Sequence, residues 1–429
     1  LVSKPLQQQK PNKYNTHNHF ESIRFRRVLF FLYETHMPDY KQIVLAKGRE
    51  GTFFRKHPWI FSGAIKQKDA DLKDGEIVEV LSYDKMFLGI GHYTDASIAI
   101  RIISFEPVTI DADFWYNKIK KAYDYRADIG ITTLEATNAY RLVFGEADEL
   151  PGLVIDFYNN NAVIQCHAIG MHRSIKDIAE ALKKIYGAKL ESIYDKSMES
   201  LPKEYASNHS NGALFGTNEN TLIEEYGNKF RIDWVRGQKT GFFIDQRENR
   251  RLLAQYSKGR KVLNTFCYTG GFSVYAGLAG ASLVHSVDVS KTAVELTKQN
   301  AELNGLQNHE AFAMDTFDFF KENKTEYDLI ILDPPAFAKS RKVSHNAVIG
   351  YKRLNTEAFK RIKSGGIVFT FSCSQVIDKD LFYNTIVSAA IEARRTIKVL
   401  HYLSQPADHP ISMYFAEGEY LKGLVLWVE

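Results

Sequence analysis

A chain of 429 residues, 45% hydrophobic and 25% charged, has the composition of an ordinary globular protein of two or three domains. Its longest apolar runs, such as RVLFFLY (27–33), fall far short of the roughly 20 residues that a membrane-spanning helix needs, so no membrane partner is expected. The net charge of +4 lies in residues 1–36, with six Lys/Arg against two acids; taking these from 55 and 51 leaves 49 of each sign, so global charge carries no nucleic-acid footprint.

In chain order, residues 1–37 are polar and lack periodicity before VLFFLY, and they read as a disordered extension with Met37 as the start of the ordered protein. A targeting segment is the rival reading, but its apolar stretch is short and no small-residue cleavage site follows. Across 38–112, short alternating runs (GEIVEVLS, KMFLGIGHY, SIAIRIISF) broken by Gly, Asp and Ser predict a small antiparallel β domain. Residues 113–235 predict an α+β module. FWYNKIKKAYDYRADIG and SIKDIAEALKKIYG have helical spacing, LPGLVIDFYNNNAVIQCHA is a hairpin turning at NNN, and LIEEYGNKFRIDW is a hairpin turning at Gly227-Asn228. From 236 to 429 strands and helices alternate, including a helix near 351–364 and a strand in GGIVFTFSCS, which implies a doubly wound, mostly parallel sheet. The ligand crevice of such a sheet lies beyond the carboxyl ends of its strands.

The informative polar residues fall at those ends. VLNTFCYTGGFSVYAGLAGA is a strand, a tight turn at Gly270 and Gly271, and a helix, which lets a ligand approach the backbone closely. It lacks GxGxxG, so a nicotinamide dinucleotide and an oxidoreductase are disfavoured. Asp288 ends the next strand, about twenty residues on, where a carboxylate can accept both hydroxyls of a ribose; as a bare strand-end residue it would mean nothing. Asp315, after another short strand, suits an adenine amino group. A nucleoside without a phosphate chain is indicated, and S-adenosyl-L-methionine fits. In YDLIILDPPAF two prolines end the strand and leave Asp333 at the crevice.

These motifs, with GQKTGFFIDQR (237–247), YTGGF (268–272), GYK (350–352), FSCS (371–374), ADHP (407–410) and YLKG (420–423), resemble the bacterial 23S rRNA cytosine-C5 methyltransferase I family. The resemblance continues upstream through VLAKGREGTFFRKHPWIFSGAI (44–65) and YRLVFGEADELPGLVID (140–156). It implies a PUA RNA-binding domain, the central module and a Rossmann-like class I methyltransferase domain, with 23S rRNA or a large-subunit particle as partner. A homodimer is compatible with it. It further implies that Phe266, Tyr268, Thr269, Gly270, Gly271, Asp288, Asp315 and Asp333 hold the donor, and that Gln238, Lys239, Thr240 and the stretch Asp245, Gln246 and Arg247 form a lid or support around it. Pro334, Pro335 and Phe337 would face the target base, and Lys56 and Trp59 the RNA, although Trp59 and Phe61 suit a core equally well.

Cytosine C5 is a poor nucleophile until a thiolate adds at C6 and an acid at N3 relieves the charge. Cys373 and Asp333 end two strands of one sheet and are assigned these roles. A single cysteine is more often an inert small hydrophobe, the reading given to Cys166 and Cys267. With no CxxC pair, neither disulfide framework nor metal site is expected, and a reducing cytoplasm fits best. Ala336 and Phe337 follow the prolines, so no second helper cysteine is present there. The alternatives are an exocyclic-amino methyltransferase acting on guanine or adenine, which would need no cysteine, and a noncatalytic RNA-binding assembly factor.

Overall fold

The computed structural model describes residues 38–218, 220–337 and 344–429, so the expected extension 1–37 lies outside the described residues. Strands β1 (Lys41–Leu45), β2 (Trp59–Phe61), β3 (Ile65–Lys68), β4 (Ile77–Leu81), β5 (Phe87–Tyr93) and β6 (Ile98–Ser104) form one sheet in the order β2-β6-β5-β4-β1-β3. The sheet is antiparallel as expected except that β1 runs parallel to β4. Alternation tells which segments are strands; the long return from β1 to β4, which sets their direction, leaves no local signal.

The central module has a second sheet, ordered β11-β10-β9-β8-β7: β7 (Ala139–Phe144), β8 (Leu153–Tyr158), β9 (Asn161–Cys166), β10 (Ser192–Asp195) and β11 (Gly212–Phe215). Helix α1 (Ala112–Asp128) is capped by the Asp111 carboxylate accepting from the Phe114 N–H, and with α2 (Ile175–Tyr186) it covers one face. Trp115, Ile119, Ile178 and Leu182 pack there against Leu142, Ile155 and Ile164. The β8–β9 turn has Asn159 and Asn160 at φ 43° and 69°, the pair of left-handed residues that a two-residue hairpin demands. In the other hairpin, β12 (Asn220–Glu225) and β13 (Asn228–Asp233), Glu225 pairs with Asn228, so the turn residues are Tyr226 (φ 50°) and Gly227 (φ 79°), one position earlier than expected. The strained tyrosine is held because the Asn228 amide donates to the Glu225 carbonyl at 2.8 Å and the Glu225 carboxylate takes both arms of buried Arg250.

The third sheet has the order β16-β15-β14-β17-β18-β20-β19: β14 (Lys261–Thr265), β15 (Leu283–Asp288), β16 (His309–Ala313), β17 (Tyr327–Leu332), β18 (Ile362–Ser372), β19 (Ile397–Leu403) and β20 (Lys422–Val428). The first five are parallel, and β20 lies antiparallel between β18 and β19. Helices α3 (Arg247–Gln255), α4 (Gly271–Leu278), α5 (Lys291–Leu303), α6 (Thr316–Glu322), α7 (Ser344–Arg361) and α8 (Lys379–Ala393) accompany it. Its central strands are largely apolar on both faces. Leu263, Ile330 and Val368 meet Tyr351, Leu354 and Phe359 on one side, while Val262, Leu329 and Phe369 meet Phe272 and Ala276 on the other. The helix expected near 351–364 ends at Arg361, and β18 starts at Ile362, before the two glycines expected to open it. The sheet order reverses between β14 and β17, which opens the crevice there.

One buried carboxylate helps to join the central and third units. Asp408 receives both arms of the buried Arg247 guanidinium at 2.9 and 3.0 Å and the Arg141 backbone N–H at 3.1 Å; its carbonyl accepts from Arg126 at 2.8 Å. Burial alone would raise the Asp408 carboxyl, but His409 and Arg247 overcome it and hold the group ionised. Arg247→Met should lower stability by about 3–5 kcal/mol in urea unfolding, because it strands a buried charge. Arg247→Met with Asp408→Leu should cost less than Arg247→Met alone.

Candidate active site

At the end of β14 the backbone turns through Phe266 (φ 55°), Tyr268 (φ 47°) and Gly270 (φ 78°) before α4 begins at Gly271. Two side-chain-bearing residues in the left-handed region are costly, and local bonds hold them there. The Tyr268 and Ser290 N–H groups donate to the two oxygens of Asp288 at 3.0 and 2.9 Å. Thr297 donates to the Tyr268 carbonyl at 2.7 Å and Asn300 to the Thr269 carbonyl at 2.9 Å. A Cβ on Gly270 would come within 2.7 Å of the Thr297 methyl group, so glycine is required twice over at this position.

The Tyr268 hydroxyl ties this turn to the GQKTG loop. It donates to the Gly241 carbonyl at 3.0 Å and accepts from the Gln238 N–H at 3.0 Å. Lys239 is exposed and in the left-handed region (φ 53°). The Thr240 hydroxyl is buried, donates to Asp156 and meets the Tyr158 hydroxyl, so it anchors the loop to the central sheet. Arg247 anchors in the same way through Asp408. Asp315 caps α6 with one oxygen, accepting from the Phe317 and Asp318 N–H groups. A glycine turn followed by carboxylates at the ends of β15 and β16 fits a nucleoside with a ribose and an amino-bearing base, and the cap takes only one Asp315 oxygen.

Next to this pocket β17 and β18 run parallel, with Leu332 paired to Thr370, which puts Asp333 and Cys373 beyond the carboxyl ends of neighbouring strands. Asp333 accepts from the Gln246 side-chain amide at 3.0 Å, and the Asn249 amide donates to Gln246 Oε1 at 2.6 Å. Burial and the nearby Asp245 carboxylate push the Asp333 carboxyl up to about 7. Asp245 itself accepts from the Tyr420 hydroxyl. Cys373 is partly exposed, unlike buried Cys166 and Cys267, and burial together with Asp333 and Asp245 pushes its thiol up to about 11. Beside it, the Ser372 hydroxyl donates to Tyr351 at 3.0 Å, and the Phe337 ring packs on Tyr351 with centroids 4.7 Å apart. Pro334 is buried and Pro335 exposed.

The structure therefore brings together Asp333, Cys373, Gln246 and Asp245, and in a neighbouring group Phe266, Tyr268, Thr269, Gly270, Gly271 and Asp288. It places Lys56 and Trp59 elsewhere. The Trp59 indole donates to Glu146 at 2.8 Å and packs edge-on against Phe415, 4.7 Å away, at a seam between the first unit and the third; Lys56 is exposed over Tyr414. Phe61 is 46% exposed, so it is not core. Sequence reasoning gave no role to Tyr351, Tyr420 or Lys422. YLKG was visible as a motif, but only the β18–β20 pairing shows that its lysine stands opposite Ser372. Among the described residues, no three His, Cys, Asp or Glu side chains are grouped to hold a metal, and no helix is long and apolar enough to cross a membrane.

Comparison with known proteins agrees with this geometry. Residues 194–418 match the S-adenosylmethionine-dependent methyltransferase family, and residues 43–105 match the PUA-like domain. A methyltransferase from Streptococcus mutans has the same fold, with a TM-score of 0.77 at 24% identity over 90% of this chain and 99% of its own. The ribosomal RNA large subunit methyltransferase I of Aeromonas hydrophila is 39% identical over 90% of this chain and 98% of its own. That of Escherichia coli is 37% identical over 89% and 98%. This protein is thus an S-adenosylmethionine-dependent methyltransferase with a PUA-like domain, and it belongs to the ribosomal RNA large subunit methyltransferase I family.

Proposed function

We propose that this protein methylates C5 of a cytosine in 23S rRNA, in the cytoplasm, through a covalent adduct between Cys373 and cytosine C6. The observation that supports it most is the pairing of an accessible thiol with a carboxyl of raised pKa at the ends of adjacent parallel strands. S-adenosylmethionine supplies an electrophilic methyl group. The turn 266–271, with Asp288 and Asp315, binds the donor, and Tyr268 couples that turn to the loop containing Lys239. The Cys373 thiolate adds to C6 while Asp333, protonated, donates to N3, so that C5 becomes enamine-like. Gln246 orients Asp333 by holding one carboxyl oxygen and leaves the other for the proton. Pro334 and Pro335 fix the loop that presents it. The target base must leave its stack to reach the crevice. The exocyclic-amino alternative would use an aromatic to sandwich the base, whereas Phe337 is spent on Tyr351.

Cys373→Ala should abolish 5-methylcytidine in rRNA incubated with the donor, read by nucleoside mass spectrometry; an N-methylated purine surviving the change would refute the assignment. Asp333→Asn should lower turnover by about 10²- to 10⁴-fold. The pH dependence has a definite sign. Below about 7 Asp333 stays protonated while the thiolate fraction rises about tenfold per pH unit; above about 7, loss of the Asp333 proton offsets that rise. The wild-type rate should therefore climb and then level near pH 7, and residual Asp333→Asn activity should keep climbing. Tyr268→Phe loses two hydrogen bonds of roughly 1 kcal/mol each, so donor Kd, measured by calorimetry, should rise by at most about thirtyfold.

A further inference from the structure

The mechanism leaves one requirement unmet, since Cys373 must ionise in a place where burial, Asp333 and Asp245 all oppose a thiolate. On its other side β18 pairs with β20, and there Lys422 pairs with Ser372, the residue before the cysteine. The Lys422 side chain is buried, 5% exposed, and reaches around the cysteine turn. Its ammonium donates to the Ser374 carbonyl at 2.6 Å and to the Ile377 carbonyl at 2.7 Å. Among the described residues no carboxylate forms an ion pair with it, and Glu419 and Asp378 act on its charge without direct contact. An ammonium has three N–H donors, and two are spent on the backbone just after Cys373. Its direct hydrogen-bond partners are neutral carbonyls, so a thiolate beside it would further stabilise the buried charge.

We infer that Lys422 is the positioning residue for the nucleophile: it clamps the turn after Cys373 through two carbonyls, and its charge stabilises the Cys373 thiolate, the thiol proton leaving to solvent. This rests on the reading of Cys373 as nucleophile. The groups facing Cys373 are Asp333 from the end of β17, Asp245 from the loop before α3, Tyr351 from α7, Tyr420 beside β20, and Lys422, which alone among them carries positive charge. Glu419, Asp378 and Lys379 act on Lys422 from the loop before β20 and the start of α8. Burial holds the lysine down to about 8, and Cys373 pulls it back up, as two groups that stabilise each other's charged forms must.

The test is the pH profile of Cys373 alkylation by iodoacetamide in the full-length protein, read by peptide mass spectrometry so that Cys166 and Cys267 do not contribute. Lys422→Gln can keep a donor to the Ser374 carbonyl but loses the charge. Its profile should move up by about one unit, with alkylation at pH 8 about tenfold slower, while Lys422→Arg stays near wild type. An unchanged Lys422→Gln profile with an unchanged melting temperature would overturn the inference. The same coupling can be read without altering the lysine. In Cys373→Ser, NMR titration of Lys422 in selectively labelled protein should show its pKa lower than in wild type, and an unmoved lysine would also overturn it. If Cys373→Ala still makes 5-methylcytidine, the nucleophile reading falls instead, whatever the alkylation profiles show.

Discussion

The buried Asp408 carboxylate is the constraint on which the crevice depends. It neutralises Arg247 at the start of α3, accepts from the backbone of β7 and lies where Arg126 of α1 reaches the same loop. Two charges without water are stable only if each lone pair and each N–H finds a partner, and here three elements supply them. Because Arg247 directly follows Gln246, fixing the guanidinium also fixes the amide that holds Asp333. The buried ion pair and the hydrogen bond to Asp333 are thus neighbours on one short stretch, DQR.

On the proposed mechanism, the crevice must hold an acid and a nucleophile in one place. Bringing Asp245 close to Asp333 favours the protonated carboxyl at neutral pH. The same negative charge and the same burial disfavour the thiolate of Cys373. Both groups cannot be tuned by burial alone, since burial pushes a carboxyl and a thiol in the same direction. Local positive charge is the remaining lever, and in this fold it enters from the antiparallel strand β20 inserted beside β18.

Much of the candidate site is legible from local chemistry. Asp333 is marked by the two prolines that stop β17, Gly270 by a turn that a Cβ would block, and Asp288 by the end of an apolar strand. For other residues, local sequence does not show what a side chain faces. Trp59 looks like an RNA-facing aromatic, and its indole is held by Glu146 and Phe415, which are far away in the chain. Thr240 sits in a donor-loop motif, yet its hydroxyl is committed to Asp156 of the central sheet. The Tyr226–Gly227 turn was displaced by one residue because the Glu225 and Asn228 contacts, and not the glycine alone, set the register.

What the sequence by itself determined is the set of elements and the chemistry at their ends. Strand and helix periods, turn residues and strand-terminating prolines act over a few positions, and they are enough to specify a strand-rich first unit, an α+β middle and a doubly wound sheet with its polar residues at one edge. The tertiary structure decided which of those ends become neighbours. The parallel pairing of β17 with β18 joins Asp333 to Cys373, and the insertion of β20 from the end of the chain brings Lys422 to the cysteine turn. These pairings are contacts between residues about forty or more positions apart, chosen by burial of whole sheet faces rather than by any local preference, so no short stretch of sequence carries them.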